Sequence, residues 1–160
     1  MPKSRKPARK YDERRFWRKL GAAIEQRDDR KPLRDGPARD MSLAAHLSLE
    51  QLCRNPDECS WSNLACTCNL SMILAEHGYG DEQCLSFVRA AQDALRRTEA
   101  RAKVTGQWSM DGDGIVALRE VLALHDAQIE QASRSEIRQA LVEMSERLER
   151  EEALERGTAA

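Results

Sequence analysis

Three sets of residues in this 160-residue chain could carry chemistry by type and spacing. The first is Ser109-Met110-Asp111-Gly112-Asp113-Gly114-Ile115-Val116-Ala117-Leu118-Arg119-Glu120. A calcium-binding EF-hand loop needs oxygen ligands at positions 1, 3 and 5, glycine at 6, an apolar residue at 8 and a bidentate glutamate at 12. Asp111, Asp113, Gly114, Val116 and Glu120 meet five of those requirements, whereas position 1 is Ser109, a neutral oxygen. Gly106 also stands where the preceding helix should be, and no second loop pairs with this one. The competing reading is a helix start, with Asp111 or Asp113 capping the first turn and favouring its positive dipole end. Under it Glu120 is a solvated helical residue, and the missing ligand favours this reading.

The second set is Cys53, Cys59, Cys66, Cys68 and Cys84, with His46 and His77 near them in sequence. Structural zinc takes four Cys or His ligands, usually as two close pairs. Here the gaps are five, six, one and fifteen residues, and none is CxxC. On a helix Cys66 and Cys68 point about 200° apart. Buried thiols that act as small hydrophobes account for the pattern better. A zinc-stabilised helical domain stays as the third reading of the chain. No cofactor is expected.

The third set is the N-terminus. Residues 1–19 carry Lys3, Arg5, Lys6, Arg9, Lys10, Arg14, Arg15, Arg18 and Lys19 against Asp12 and Glu13, a net of +7 that leaves −8 for the rest. These cations, interleaved with Tyr11, Phe16 and Trp17, could neutralise phosphates and stack on bases. A solvated tail is the bland alternative. The candidate nucleic-acid contacts are Lys3, Arg5, Lys6, Arg9, Lys10, Arg14, Arg15, Trp17 and Arg18. No helix-turn-helix is evident, because Arg96, Arg97, Arg101 and Lys103 fall at the wrong end of the candidate recognition helix.

Nucleophilic catalysis would need Ser or Cys beside His. His125-Asp126 are neighbours on a helix, where adjacent residues diverge, and His125 lies on an apolar stripe as a core or interface histidine would. His77 stands near a helix end, where a protonated imidazole suits the dipole. No glycine-rich phosphate loop is present. The chain is therefore expected to be non-enzymatic.

The elements that must position these residues are helical. Aromatics are only 4% and the 41% apolar fraction leans on Ala and Leu, so a thin core between helices is expected. Residues 1–10 hold two prolines and five cations without apolar periodicity and read as a disordered basic tail. Phe16, Leu20, Ala23 and Ile24 have helical spacing, and residues 31–40, with Pro32, Gly36 and Pro37, read as a linker. Residues 11–40 thus form a helical arm and linker, and residues 41–157 a bundle domain.

Within that domain Ser42 is expected to cap a helix to about Cys53, and Asn55-Pro56-Asp57 to turn the chain. A central helix over 62–77 is apolar on most faces and ends at Gly78 and Gly80. Asp81 caps a helix to about Lys103, which stops at Thr105-Gly106. Trp108 and Met110 pin the following loop. Ile115, Leu118, Leu122, His125 and Ile129 stripe the next helix. Ser133 and Glu136 have capping-box spacing and mark a break before the last helix, with one long bent helix as the alternative. That last helix carries i,i+4 pairs Glu143–Arg147, Glu146–Arg150 and Glu152–Arg156. The whole is an all-α bundle of four to six helices.

The run Asn69–Gly80, then Ala90–Leu95, Thr105-Gly106-Gln107-Trp108, Ala117-Leu118 and Leu124-His125-Asp126-Ala127-Gln128 resembles a group of small helical proteins borne by phages and other mobile elements of proteobacteria. The likeness covers residues 62–150. It implies a bacterial or phage origin and a helical body, and it brings no catalytic residue or ligand with it.

These readings converge on a helical interaction protein, a regulatory accessory factor. It would bind a host or phage protein, or oligomerise, through an apolar seam of Ile137, Leu141, Met144 and Leu148. The nucleic-acid reading through the arm is the runner-up. No stretch approaches the ~20 apolar residues of a membrane span, and no apolar segment follows the basic N-terminus as in a secretory signal. A cytoplasmic, non-membrane protein with free thiols is expected.

Overall fold

The structure is a computed structural model that describes the backbone of residues 35–158 and the side chains of residues 36–151. The basic tail, most of the arm and all nine proposed nucleic-acid contacts lie outside the described residues. Five helices make up the rest: α1 (Asp35–Arg54), α2 (Glu58–Glu76), α3 (Glu82–Thr105), α4 (Gly112–Gln131) and α5 (Arg134–Thr158). No strand occurs among the described residues. The expected all-α bundle is the observed class.

The helix starts are set by local chemistry. Asp57, Asp81 and Asp111 are extended N-caps whose carboxylates accept the backbone N–H three residues on, from Ser60, Cys84 and Gly114 at 2.7, 2.9 and 2.8 Å. These bonds hold the Asp57 and Asp81 carboxyls below the usual range. Gly106 ends α3 in the left-handed region at φ 74°, returning its N–H to the Ala102 carbonyl. Gly78, at φ 100°, leads the chain out of α2.

Two starts differ from the sequence reading. α1 begins at Asp35, seven residues before Ser42, so 35–40 is helix rather than linker. Pro37 permits this because it lies in the first turn, where backbone N–H groups lack an intrahelical acceptor. α2 begins at Glu58, not Ser62, because Asp57 supplies the cap.

The break at Ser133 is real. Ala132 is extended, at φ −72° and ψ 142°, and closes α4. The Glu136 carboxylate accepts from the Ser133 N–H at 2.8 Å and from its hydroxyl at 2.6 Å. This capping box rules out one long bent helix. Of the α5 ion pairs, Glu143–Arg147 forms, while Arg150 donates to the Glu146 backbone carbonyl at 3.2 Å instead.

Packing centres on α2, which contacts every other helix. Leu64 and Cys68 of α2, Val88, Ala91 and Leu95 of α3, Leu118, Val121 and Leu122 of α4, and Ala45, Leu49 and Leu52 of α1 form the main core. Trp61 caps one end of this core. Its indole N–H donates to the Leu95 carbonyl at 3.0 Å, and its ring lies 5.2 Å from that of Trp108, tilted by 46°. Met110 packs on the same core, so the 107–111 loop is pinned as expected. A second cluster joins Leu70, Ile73 and Leu74 of α2 to Ile129 of α4 and to Ala132, Ile137 and Ala140. Ala38 and Met41, near the start of α1, pack on it too.

Candidate functional site

α5 runs antiparallel to the C-terminal half of α2. Glu136 meets Tyr79, Glu143 meets His77 and Arg147 meets Glu76, so α5 numbers rise as α2 numbers fall. Its apolar stripe is buried unevenly as a result. Ile137 is 3% exposed and belongs to the core, Leu141 and Met144 are half-buried, and Leu148 is 37% exposed. The expected seam of Ile137, Leu141, Met144 and Leu148 is therefore not one exposed surface. Ile137 is excluded from partner contact because folding α5 back on α2 buries it. The stripe opens only towards Leu148. There a pocket of about 60 Å³ lies between the two helices, lined by Asn69, Ile73, Met144, Arg147, Leu148 and Glu151.

Ion pairs border this pocket. The Arg147 guanidinium donates to Glu76 and to Glu143, each at 2.5 Å, and its Nε donates to Glu143 at 3.1 Å. His77 Nε2 lies 2.9 Å from the other Glu143 oxygen. The bond from Arg147, and secondarily His77, holds the Glu143 carboxyl below its ordinary range, while Glu76 and Glu143 push the Arg147 pKa up. Two turns back along α5, bonds from Ser133 and the Tyr79 hydroxyl lower the Glu136 carboxyl, and the tyrosine rises in return. Half-exposed pairs of this kind contribute little stability each. Their consequence is register: they fix which turn of α5 meets which turn of α2, and so where the stripe opens. The sequence reading named the stripe but missed Asn69 and Glu76, which sit beside it only in the folded chain.

The other candidates separate. Asp111 caps α4, and its second oxygen lies 3.6 Å from Arg97 and 3.9 Å from Arg101. Arg101 also donates to the Ser109 carbonyl at 2.6 Å, so an arginine faces the first position of the would-be calcium loop. Cys53, Cys59 and Cys66 are exposed, Cys84 is half-buried, and Cys68 is buried with its thiol pushed up to about 12 by desolvation. Among the described residues no three His, Cys, Asp or Glu side chains gather to hold a metal ion. The zinc reading thus has no ligand set there. Arg96, Arg97, Arg101 and Lys103 of α3 each have an acidic neighbour, in Asp93, Asp111, Asp111 and Glu99. They form no open cationic stripe for phosphate. No described helix is long and apolar enough to cross a membrane.

His125 is a core histidine, as its place on the stripe suggested. It is 2% exposed, with Nδ1 at 3.2 Å from the Ser71 hydroxyl. Burial pushes its pKa down to about 4, against an opposing pull from Asp126. Asp126 points away and meets His46 of α1 at 2.9 Å. Gln128, which the sequence reading did not single out, is 1% exposed and donates to the Ser71 and Tyr79 carbonyls, both at 3.0 Å. It ties α4 to the end of α2 and to the turn after it. Its position three residues after His125, on the Leu118–Leu122–His125–Ile129 face, was the signal. Ser71 and His125 resemble a catalytic pair in type, but both are sealed from solvent.

No family model, curated protein or solved structure matches the chain.

Proposed function

We propose that the chain is a non-enzymatic helical interaction protein, a regulatory accessory factor. It binds another protein, of host or phage origin, at the uncovered end of the α5 stripe. One observation carries the reading: burial falls along a single apolar stripe from Ile137 to Leu148, and the exposed end opens on a pocket walled by ion pairs. A central apolar anchor with a polar rim is the usual anatomy of a protein-binding surface. The phage or mobile-element origin rests on the resemblance over residues 62–150.

The test is recovery of partners by the tagged full-length chain under nuclease treatment, followed by titration of the purified partner. Leu148→Glu should weaken binding by roughly tenfold or more, since an apolar anchor contributes on the order of 2 kcal/mol. Its fold should persist, because Leu148 is 37% exposed. Unchanged affinity would remove α5 as the surface. Self-association through the same stripe predicts a sedimentation coefficient that rises with concentration and that Leu148→Glu lowers.

A second reading is favoured by the charge asymmetry of the chain, +7 over residues 1–19. It makes Lys3, Arg5, Lys6, Arg9, Lys10, Arg14, Arg15, Trp17 and Arg18 a nucleic-acid contact. Binding of that kind must weaken steeply with salt, because phosphate neutralisation releases counterions. Salt-independent binding would refute it.

A further inference from the structure

The apolar row Leu141, Met144, Leu148 is covered on one flank only, with Leu141 and Met144 half-buried and Leu148 37% exposed, and the chain itself carries an apolar segment of matching length and charge. We propose that residues 11–30 lie against this row in the free protein, placing Phe16, Leu20 and Ile24 on Leu141, Met144 and Leu148. A partner at the same face would then have to displace them.

Three observations converge. The first is where the segment joins the body. α1 starts at Asp35, and Ala38 and Met41 pack on the same cluster as Leu141 and Met144. The described chain therefore begins beside the cluster on which Leu141 and Met144 pack. Ten residues separate Ile24 from Asp35. They reach up to about 33 Å extended, more than the roughly 17 Å that α5 rises from Ile137 to Leu148.

The second is length. Phe16, Leu20 and Ile24 repeat every four residues and would span about 12 Å of helix, while Leu141 to Leu148 spans about 10.5 Å. The apolar teeth of one match those of the other. Arg14 and Arg18 would fall on the far side of such a helix, in solvent.

The third is charge. Residues 1–34 hold thirteen cations against five carboxylates, a net of +8, and the remaining residues balance it at −9. Around the row, residues 143–151 hold four glutamates against Arg147 and Arg150. Arg147 is already engaged by Glu76 and Glu143. Opposite charges across a face favour this pairing and orient it.

The proposal shares its face with the function proposed above but needs no partner, so purified protein suffices for the test. Zero-length carbodiimide cross-linking of the full-length chain, read by mass spectrometry, joins lysine to carboxylate. Lysines are few: Lys3, Lys6, Lys10, Lys19, Lys31 and Lys103. The expected result is linkage of Lys10 or Lys19 to Glu143, Glu146, Glu149 or Glu151 within the monomer. The double variant Leu20→Ser with Ile24→Ser leaves charge unchanged. It should lose those links and speed amide exchange over residues 138–151 by about tenfold.

Links that persist in the double variant would show attraction by charge alone and overturn the apolar docking. Absence of links to α5 in the wild type would also overturn it. So would links found only between molecules, which would make a second copy the occupant. If the links form but no partner is recovered by the tagged chain, the interaction reading fails and the docking stands. If a partner binds and no links form, the reverse holds.

Discussion

Mild acid should destabilise this protein through His125 before its carboxylates matter. The folded imidazole is held neutral by burial, with a pKa near 4 against an ordinary 6.5. Between those values the unfolded chain binds a proton that the folded chain refuses. Stability then rises with pH across the window and is lost as pH falls through it. Linkage over 2.5 pH units at 1.36 kcal/mol each sets a limit of about 3 kcal/mol. At pH 5 the loss is about 2 kcal/mol, a large part of the roughly 5–15 kcal/mol by which domains are stable.

The groups facing His125 are Ser71 of α2, Asp126 of α4 and His46 of α1. Only Asp126 pulls the pKa upward, and it is engaged with His46. The assay is urea unfolding followed by circular dichroism at pH 7.5, 6.5 and 5.0, for the wild type and for His125→Gln. Glutamine keeps a polar group for Ser71 but does not titrate. The variant starts less stable at pH 7.5 and should lose about 2 kcal/mol less than the wild type on going to pH 5. Equal losses in the two proteins would refute the claim that burial of this imidazole makes the fold acid-sensitive. The carboxyls of Glu136, Glu143, Asp57 and Asp81 are held low in the folded state and destabilise only at lower pH, so they do not obscure the window.

Other outcomes follow from packing and caps. Leu64→Ala empties a fully buried site in the main core and should cost about 2–5 kcal/mol in urea unfolding. Gly114→Ala should destabilise by about 1–3 kcal/mol, because the new methyl would sit 2.7 Å from Met110 Cγ and 2.9 Å from Ala94 Cβ. Asp111→Ala should cost about 1 kcal/mol through the lost cap, and added calcium should leave the Tm of the wild type unchanged. A calcium-induced rise in Tm that Asp111→Ala removes would revive the loop as a metal site.

Much of this protein was legible without coordinates. Helix class, the cap at Asp81, a cap at Asp111 or Asp113, the stop at Gly106 and the favoured break at Ser133 are local matters. Each depends on a few adjacent residues whose side chains satisfy backbone groups that a helix end leaves open. The start of α1 was misread at Pro37 because proline signals a break in a helix interior and is tolerated in a first turn. Only the position of the cap, not the residue itself, separates the two.

The tertiary structure alone decided which apolar residues are core and which remain open. Ile137 and Leu148 share one stripe, yet the first is sealed and the second is not, because Ile137 packs with Leu70, Ile73 and Leu74 of α2 while Leu148 lies at the pocket beside Asn69. The same folding gathered Glu76, His77, Glu143 and Arg147, distant in sequence, around the open end. It also scattered the five cysteines and turned Asp111 towards two arginines. Periodicity reports which face of a helix is apolar. Which residues of a neighbouring helix come to lie against that face is a property of the packed chain, and here it locates the candidate surface.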